Sequence, residues 1–185
     1  IINDDLHWTP DGKAFTWTSE RDGWEQLYRV SRDGMATNKI TTDDFDISLL
    51  QIDQSGLWAY FLASPENPSQ RYLYRIGLDG RGLSRLTPQS EHRGTHSYRI
   101  SPSGKFAVWT RSDADTPSVT RLVSLPEHNV IETLEDNAEL HAKIDALKLA
   151  PVEFFEVEIE EGVRLPARCI CPPNIDRNRK YPLLV

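Results

Sequence analysis

One four-residue turn recurs three times along this chain, and its spacing limits what the chain can build. Thr9-Pro10-Asp11-Gly12, Asp53-Gln54-Ser55-Gly56 and Ser101-Pro102-Ser103-Gly104 start 44 and then 48 residues apart. Each combines Asp or Ser with Gly, the chemistry of a tight turn. Strand-like runs follow, "AFTWTSE", "LWAYFLA" and "FAVWTRS", rich in aromatic and β-branched residues. Polar loops come next ("RDGWE", "SPENPSQ", "DADTPS"), then "QLYRVS", "YLYRIG" and "VTRLVSL". Leu27-Tyr28-Arg29-Val30 and Leu73-Tyr74-Arg75-Ile76 lie 46 apart, and Asp33-Gly34 with Asp79-Gly80 keeps that interval. So do "KITT" at 39–42 and "RLTP" at 85–88, while the third copy ends more loosely in "VIETLED".

Each copy reads as four short strands joined by turns, in the first copy "LHWT", "AFTWTSE", "QLYRVS" and "NKITT". Four strands in a repeat of roughly 40–50 residues match a β-propeller blade. A lone sheet of this kind cannot bury both faces, and radial stacking of blades does so. The blades fall at about 6–42, 47–88 and 97–136. Three are too few to close a ring, because propellers commonly use about four to eight. The rival architecture, a β-sandwich, has no need of the same turn at a fixed period.

The punctuation changes after residue 136. "DNAELHAKIDALKLA" (136–150) spaces Leu140, Ile144 and Leu147 as a helix does, with Leu149 a further candidate, Asp136 or Asn137 as N-cap and Pro151 as the stop. "VEFFEVEIE" and "RLPARCICP" flank Glu161-Gly162 as a hairpin. In it Phe155, Val157 and Ile159 alternate with Glu156, Glu158 and Glu160, predicting one apolar and one acidic face. Pro182-Leu183-Leu184-Val185 reads as a strand buried on both faces, since its apolar run is unbroken. The expected fold class is therefore all-β: a partial propeller of about three four-stranded blades, then a linker helix, a hairpin and one further strand. The expected domains are propeller blades over 1–136, a linker helix over 137–151, and a truncated second domain over 152–185.

Charge narrows the function classes. The 185 residues carry a net charge of −7, which disfavours nucleic acid and anionic membrane surfaces, both of which select basic patches. No run of about 18 apolar residues is present to span a bilayer. The chain opens Ile1-Ile2-Asn3 with no signal-peptide pattern, so both ends read as cuts and targeting is not legible. Cys169 and Cys171 are too few for a disulfide framework or a four-ligand zinc site. At i,i+2 in a strand they point to one face and read as small apolar residues.

Several local constellations invite a chemical reading. His92 and His96 have the H-x₃-H spacing of a metal pair, but that spacing needs a helix and Gly94 lies between them. Asp113 and Asp115 lack the further oxygen ligands of a calcium loop and read as turn carboxylates. Trp17, Trp58 and Trp109 sit inside second strands and are expected in the core, whereas Trp24 follows a turn and is expected outside, and Trp8 is undecided. Glu156, Glu158 and Glu160 read as a solvated face rather than an acid/base set. Arg93 and Arg99 are candidates to line a propeller funnel.

The ordered set "HWTPDGKAFTWTSERDGWEQLYRV", "RYLYRIGLDGRGLSRLT", "GTHSYRISPSGKFAVWTRSDADTP", "LEDNAEL" and "RKYPLLV" resembles the dipeptidyl peptidase IV branch of the prolyl oligopeptidase superfamily, over nearly the whole chain. The resemblance implies an N-terminal propeller, commonly eight-bladed, over a C-terminal α/β-hydrolase domain that removes dipeptides from peptide N-termini. It implies that 152–185 is the N-terminal edge of that hydrolase domain and that Tyr181–Val185 is its first strand. In the family that strand leads to an oxyanion-hole tyrosine, and the nucleophile elbow, aspartate and histidine lie further on.

No G-x-S-x-G elbow occurs between Ile1 and Val185, and no segment matches the family's paired glutamates that hold the substrate amino terminus. The expectation is thus a gating segment with no catalytic residue, no metal, no cofactor and no assigned substrate-binding residue. Its partner would be a peptide in the full-length parent, in an extracytoplasmic or periplasmic setting. The isolated piece is expected to be inert and to self-associate, with a dimer expected, or to leave about 172–185 poorly ordered. The alternatives are a propeller scaffold without peptidase activity, or an acylaminoacyl peptidase or oligopeptidase of the same superfamily.

Overall fold

The computed structural model describes residues 6–184 apart from His92, Lys148, Pro151 and Arg177. Three antiparallel four-stranded sheets follow one another, each a simple meander. The first holds β1 (His7–Trp8), β2 (Ala14–Ser19), β3 (Gln26–Ser31) and β4 (Thr37–Lys39). The second holds β5 (Ile47–Ile52), β6 (Trp58–Ala63), β7 (Tyr72–Gly77) and β8 (Ser84–Arg85). The third holds β9 (Thr95–Ile100), β10 (Phe106–Ser112), β11 (Val119–Ser124) and β12 (Val130–Glu135). These are the blades that the repeated turns announce.

The turns repeat down to individual atoms. The amides of Gly12, Gly56 and Gly104 donate to the carbonyls of Thr9, Asp53 and Ser101 at 2.8, 2.9 and 2.8 Å. The side-chain oxygens of Thr9, Asp53 and Ser101 accept from the amides of Ala14, Trp58 and Phe106, five residues on, at 3.1, 3.0 and 3.2 Å. A short oxygen-bearing side chain is therefore required at the first turn position. Gly12, Gly56 and Gly104 all sit at φ between 64° and 70°, where a side chain is strained.

The "KITT" and "RLTP" repeats have a similar cause. Thr41 Oγ1 accepts from Leu27 N at 2.9 Å, and Thr87 Oγ1 accepts from Leu73 N at 2.8 Å. Each hydroxyl satisfies a buried amide, a group that is costly to leave unpaired.

The middle blade is buried on both faces. Phe61, Ala59 and Ala63 of β6 join Leu27, Ile40, Ile47 and Tyr74 in one cluster. Tyr60 and Leu62 of the same strand join Leu73, Tyr98, Trp109 and Val123 in a second. Alternation along one strand thus feeds two cores, which is why "LWAYFLA" reads as an almost unbroken apolar run. Blades are also tied by polar contacts: Gln54 N donates to Pro102 O at 2.8 Å, and Gln51 Nε2 to Ser101 O at 2.8 Å. Between the first two blades, Glu25 N donates to Asp46 Oδ1 at 2.7 Å.

The chain divides into two compact units, Ile1–Asp113 with Ser118–Asp136, and Ala114–Pro117 with Asn137–Val185. The first contains the blades. The second contains α1 (Ala138–Ala146) and a hairpin of β13 (Val152–Glu160) and β14 (Val163–Ile170). Asn137 caps α1 from a left-handed conformation at φ 52°, which asparagine tolerates. The helix expected over 136–150 stops at Ala146. No described helical residue is buried, Leu140 is exposed, and so is Leu147 beyond the end, so no apolar face is packed to prolong it. Pro151, expected to end the helix, lies outside the described residues.

The hairpin turns at Glu161-Gly162, with Gly162 at φ 80°. Its predicted alternation places Phe155 opposite Ala167 and Val157 opposite Leu165 on one face. Arg164 on the other face lies 3.6 Å from Glu156 and 3.9 Å from Glu158. The buried strand predicted over Pro182–Val185 does not form in the described residues. Residues 181–184 have no regular structure, and Leu183 and Leu184 are 82% and 95% exposed. An apolar run becomes a strand only when another strand offers a ladder, and no described strand pairs with this one. Val185 lies outside the described residues.

Candidate functional site

The matching turns of neighbouring blades enclose hollows. Between the first and second blades lies a cavity of about 630 Å³, bordered by Pro10 and Asp11, by Leu57 and Trp58, and by Asp79 and Arg81, with Arg29 at its wall. Gly56 permits this nesting, since a Cβ there would lie 2.6 Å from Pro10 Cδ. Asp11 is held below the ordinary carboxylate range, first by the Thr9 hydroxyl, then by the Lys13 amide and the charges of Lys13 and Arg29. Asp79 Oδ1 accepts from Arg81 N at 3.0 Å.

A smaller hollow of about 370 Å³ repeats the plan between the second and third blades, lined by Asp53, Trp58, Tyr60, Arg75, Gly104 and Lys105. Tyr60 Oη donates to Gly104 O at 3.2 Å across it. Arg29 and Arg75 occupy equivalent places on β3 and β7. Each has a buried Nε with no hydrogen-bond partner among the described residues, and the Arg75 guanidinium lies 4.3 Å from the Trp58 ring centroid. Each hollow holds a hydroxyl that donates to a carboxylate, Thr9 to Asp11 at 2.7 Å and Ser55 to Asp53 at 2.5 Å, and each carboxylate also accepts from a turn amide.

The third blade buries two histidines in an aromatic stack. Trp109 Nε1 donates to His96 Nδ1 at 3.0 Å, and their rings stack at 5.8 Å and 7°. Burial, and then the nearby positive charge of Arg111, pushes His96 down to about 4. His128 Nε2 lies 2.9 Å from Tyr98 Oη, which lies 2.8 Å from Thr87 Oγ1. Burial also lowers His128 and raises Tyr98. One nitrogen of each imidazole is therefore committed to a core aromatic.

The candidates from the sequence are placed as follows. His92 lies outside the described residues. His96 is on β9, fully buried, with Nδ1 spent on Trp109. Among the described residues no three His, Cys, Asp or Glu side chains gather as a metal set. Asp113 pairs with Arg111 at 3.2 Å, as a turn carboxylate should. Of the three tryptophans expected in the core, only Trp109 is fully buried. Trp17 and Trp58 are half-buried, each with an arginine over its ring: Arg21 lies 4.9 Å from the Trp17 ring centroid, and Arg75 covers Trp58.

Trp24 is exposed, and so is Trp8, which packs edge-on against Phe15 at 5.5 Å. Arg93 and Arg99 are both exposed, and the Arg93 carbonyl accepts from Arg111 Nε at 3.3 Å. Sequence reasoning missed the inter-blade hollows. Their signal was the repeated arginine of "LYRV" and "LYRI", which a soluble strand face also explains.

Residues 2–118 match the family model described as dipeptidyl peptidase IV (DPP IV) N-terminal region. Dipeptidyl peptidase 4 of Trichophyton rubrum is 23% identical over 167 residues, covering 90% of this chain and 21% of that protein. Dipeptidyl peptidase 4 of Arthroderma otae is 24% identical over 167 residues with the same coverage. The chain thus spans about a fifth of the length of the curated relatives it matches. The crystal structure of Porphyromonas gingivalis dipeptidyl peptidase 4 superposes with a TM-score of 0.84 at 29% identity, over 96% of this chain and 24% of that one.

Proposed function

Because the chain belongs to the dipeptidyl peptidase IV N-terminal region family, we propose that it is the non-catalytic propeller segment of a serine exopeptidase and gates peptide access to an active site outside residues 1–185. The observation that carries this reading is three consecutive blades in the family's order, with a dipeptidyl peptidase structure matching over nearly the whole chain. Residues 152–185 then form the N-terminal edge of the hydrolase domain, and 137–151 the linker. Two features support that assignment. The hairpin's apolar face, with Phe155, Val157 and Leu165 exposed, is the kind a larger core would cover, and the exposed Leu183 and Leu184 follow it. A bare propeller has no use for either.

Gating would work by size. Stacked blades over a hydrolase leave narrow routes to the nucleophile, so short or flexible peptides enter and folded proteins do not. The chemistry would be acyl transfer: serine attack, an acyl-enzyme, then hydrolysis, with a histidine base and an oxyanion hole supplied by the rest of the enzyme. No cofactor or metal is part of the proposal.

The test is hydrolysis of a Xaa-Pro chromogenic dipeptide by the full-length gene product, with residues 1–185 assayed in parallel. Turnover by the former and none by the latter is expected. Turnover by the 1–185 chain alone refutes the non-catalytic assignment. Silence from both refutes the dipeptidyl specificity and leaves an acylaminoacyl peptidase, an oligopeptidase or a scaffold.

A further inference from the structure

The hairpin ends in a pair of thiols that the proposed peptidase role does not use. Cys169 is the next-to-last residue of β14, paired with Glu153, and Cys171 lies one residue beyond the strand. Their sulfurs are 3.7 Å apart, and both residues are only partly buried, so solvent-borne reagents can reach them. Residues two apart on an extended strand have Cα atoms about 6.4–6.8 Å apart. A disulfide spans roughly 4.4–6.8 Å between Cα atoms, so this pair sits at the outer edge of what can close. The Cys169 backbone is held by the ladder. Cys171 follows Ile170, the last residue of β14. Pro172 and Pro173 come next and limit how far the chain can swing away.

We propose that Cys169 and Cys171 are a reversible dithiol site, closed to an intrachain C-x-C disulfide by a low-molecular-weight disulfide such as oxidised glutathione. One cysteine thiolate attacks a glutathione sulfur. A mixed disulfide forms, and the first glutathione leaves as its thiolate. The second cysteine thiolate then attacks the protein sulfur of that mixed disulfide, and the second glutathione leaves. The two cysteines lose two electrons and two protons together, and one oxidised glutathione becomes two reduced glutathiones. A bond at the edge of the allowed span is more easily reduced than an unstrained one, which makes the site reversible. Closure would staple the exit of β14 to the segment beginning at Pro172.

Tryptic mapping of the full-length protein tests this directly, because cleavage after Arg168 and Arg177 releases a single peptide containing both cysteines. After incubation with oxidised glutathione and alkylation of remaining thiols, that peptide should be two hydrogens lighter and unalkylated. Dithiothreitol should return it to a doubly alkylated form. Cys169→Ser and Cys171→Ser should each stop at the stage of one stable glutathione adduct. Double alkylation of the wild-type peptide, a glutathione adduct that persists in wild type, or a cross-link to another peptide or a second copy would each overturn the proposal. Peptidase activity is not the readout, so failure here is separate from failure of the gating role.

Discussion

Acid should weaken the third blade through His96. Its ring is fully buried against Trp109 and Tyr72. Its pKa falls from 6.5 to about 4, first through burial and then through the positive charge of Arg111, with smaller effects from His128 and Arg85. The carbonyl of Arg93 acts in the opposite direction. Because the folded pKa is lower, the unfolded chain binds the proton more readily. Stability is therefore complete above about pH 6.5 and is lost as pH falls towards about 4. Each pKa unit corresponds to about 1.4 kcal/mol, so the loss amounts to about 2–3 kcal/mol. His128, lowered by burial, adds to the same slope.

Asp11, Asp22 and Asp33 have lowered pKa values and lose their contribution only below the ordinary 3.8, outside this window. The assay is urea unfolding followed by tryptophan fluorescence across that pH range, comparing wild type with His96→Gln, whose amide oxygen can still accept from the Trp109 indole. The variant should lose about 2 kcal/mol less than wild type on acidification. Equal pH slopes for the two proteins would refute the assignment of the proton to His96.

Two backbone predictions follow from the turns. Gly94 sits at φ 94° with Ser112 O 2.4 Å from any added Cβ, so Gly94→Ala should cost about 2–4 kcal/mol in urea unfolding. Gly34→Ala, at φ 73° with open space around it, should cost only about 1–2 kcal/mol. Asp53 accepts from the amides of Leu57 and Trp58 and from the Ser55 hydroxyl, so Asp53→Ala should destabilise by about 2–3 kcal/mol. Thr9→Ala, with a neutral acceptor at the equivalent site, should cost nearer 1 kcal/mol by the same measurement.

The blades were legible because each repeat encodes local chemistry. A short oxygen side chain, a glycine four residues into the turn and a threonine after the last strand each satisfy a particular backbone group, so the same letters return at the same places. The hairpin was legible for the same reason, through Glu161-Gly162 and strict alternation. What was not legible depends on neighbours rather than on local pattern. Leu147 and Leu149 continue a helical spacing, but without a surface to bury them α1 stops at Ala146. "PLLV" has the composition of a buried strand, yet a ladder needs a partner. Trp17 and Trp109 share the fourth position of their strands, where the second blade has Phe61, yet of the two tryptophans only Trp109 is fully buried. The inter-blade hollows likewise arise from two turns about 45 residues apart, which no single window of sequence displays.

The two-sided burial of β6 sets how loss of one blade propagates to the others. Within this chain the middle blade has a packed neighbour on each face, whereas every residue of β12 is exposed. In a quasi-one-dimensional stack, cooperativity is carried by interfaces between adjacent repeats. Among these three blades, loss of the first or the third removes one of the two described interfaces. If the second blade opens, both interfaces are lost at once, and the first and third blades become independent. Phe61 and Tyr60, back to back on one strand, are where the coupling between the outer blades is held.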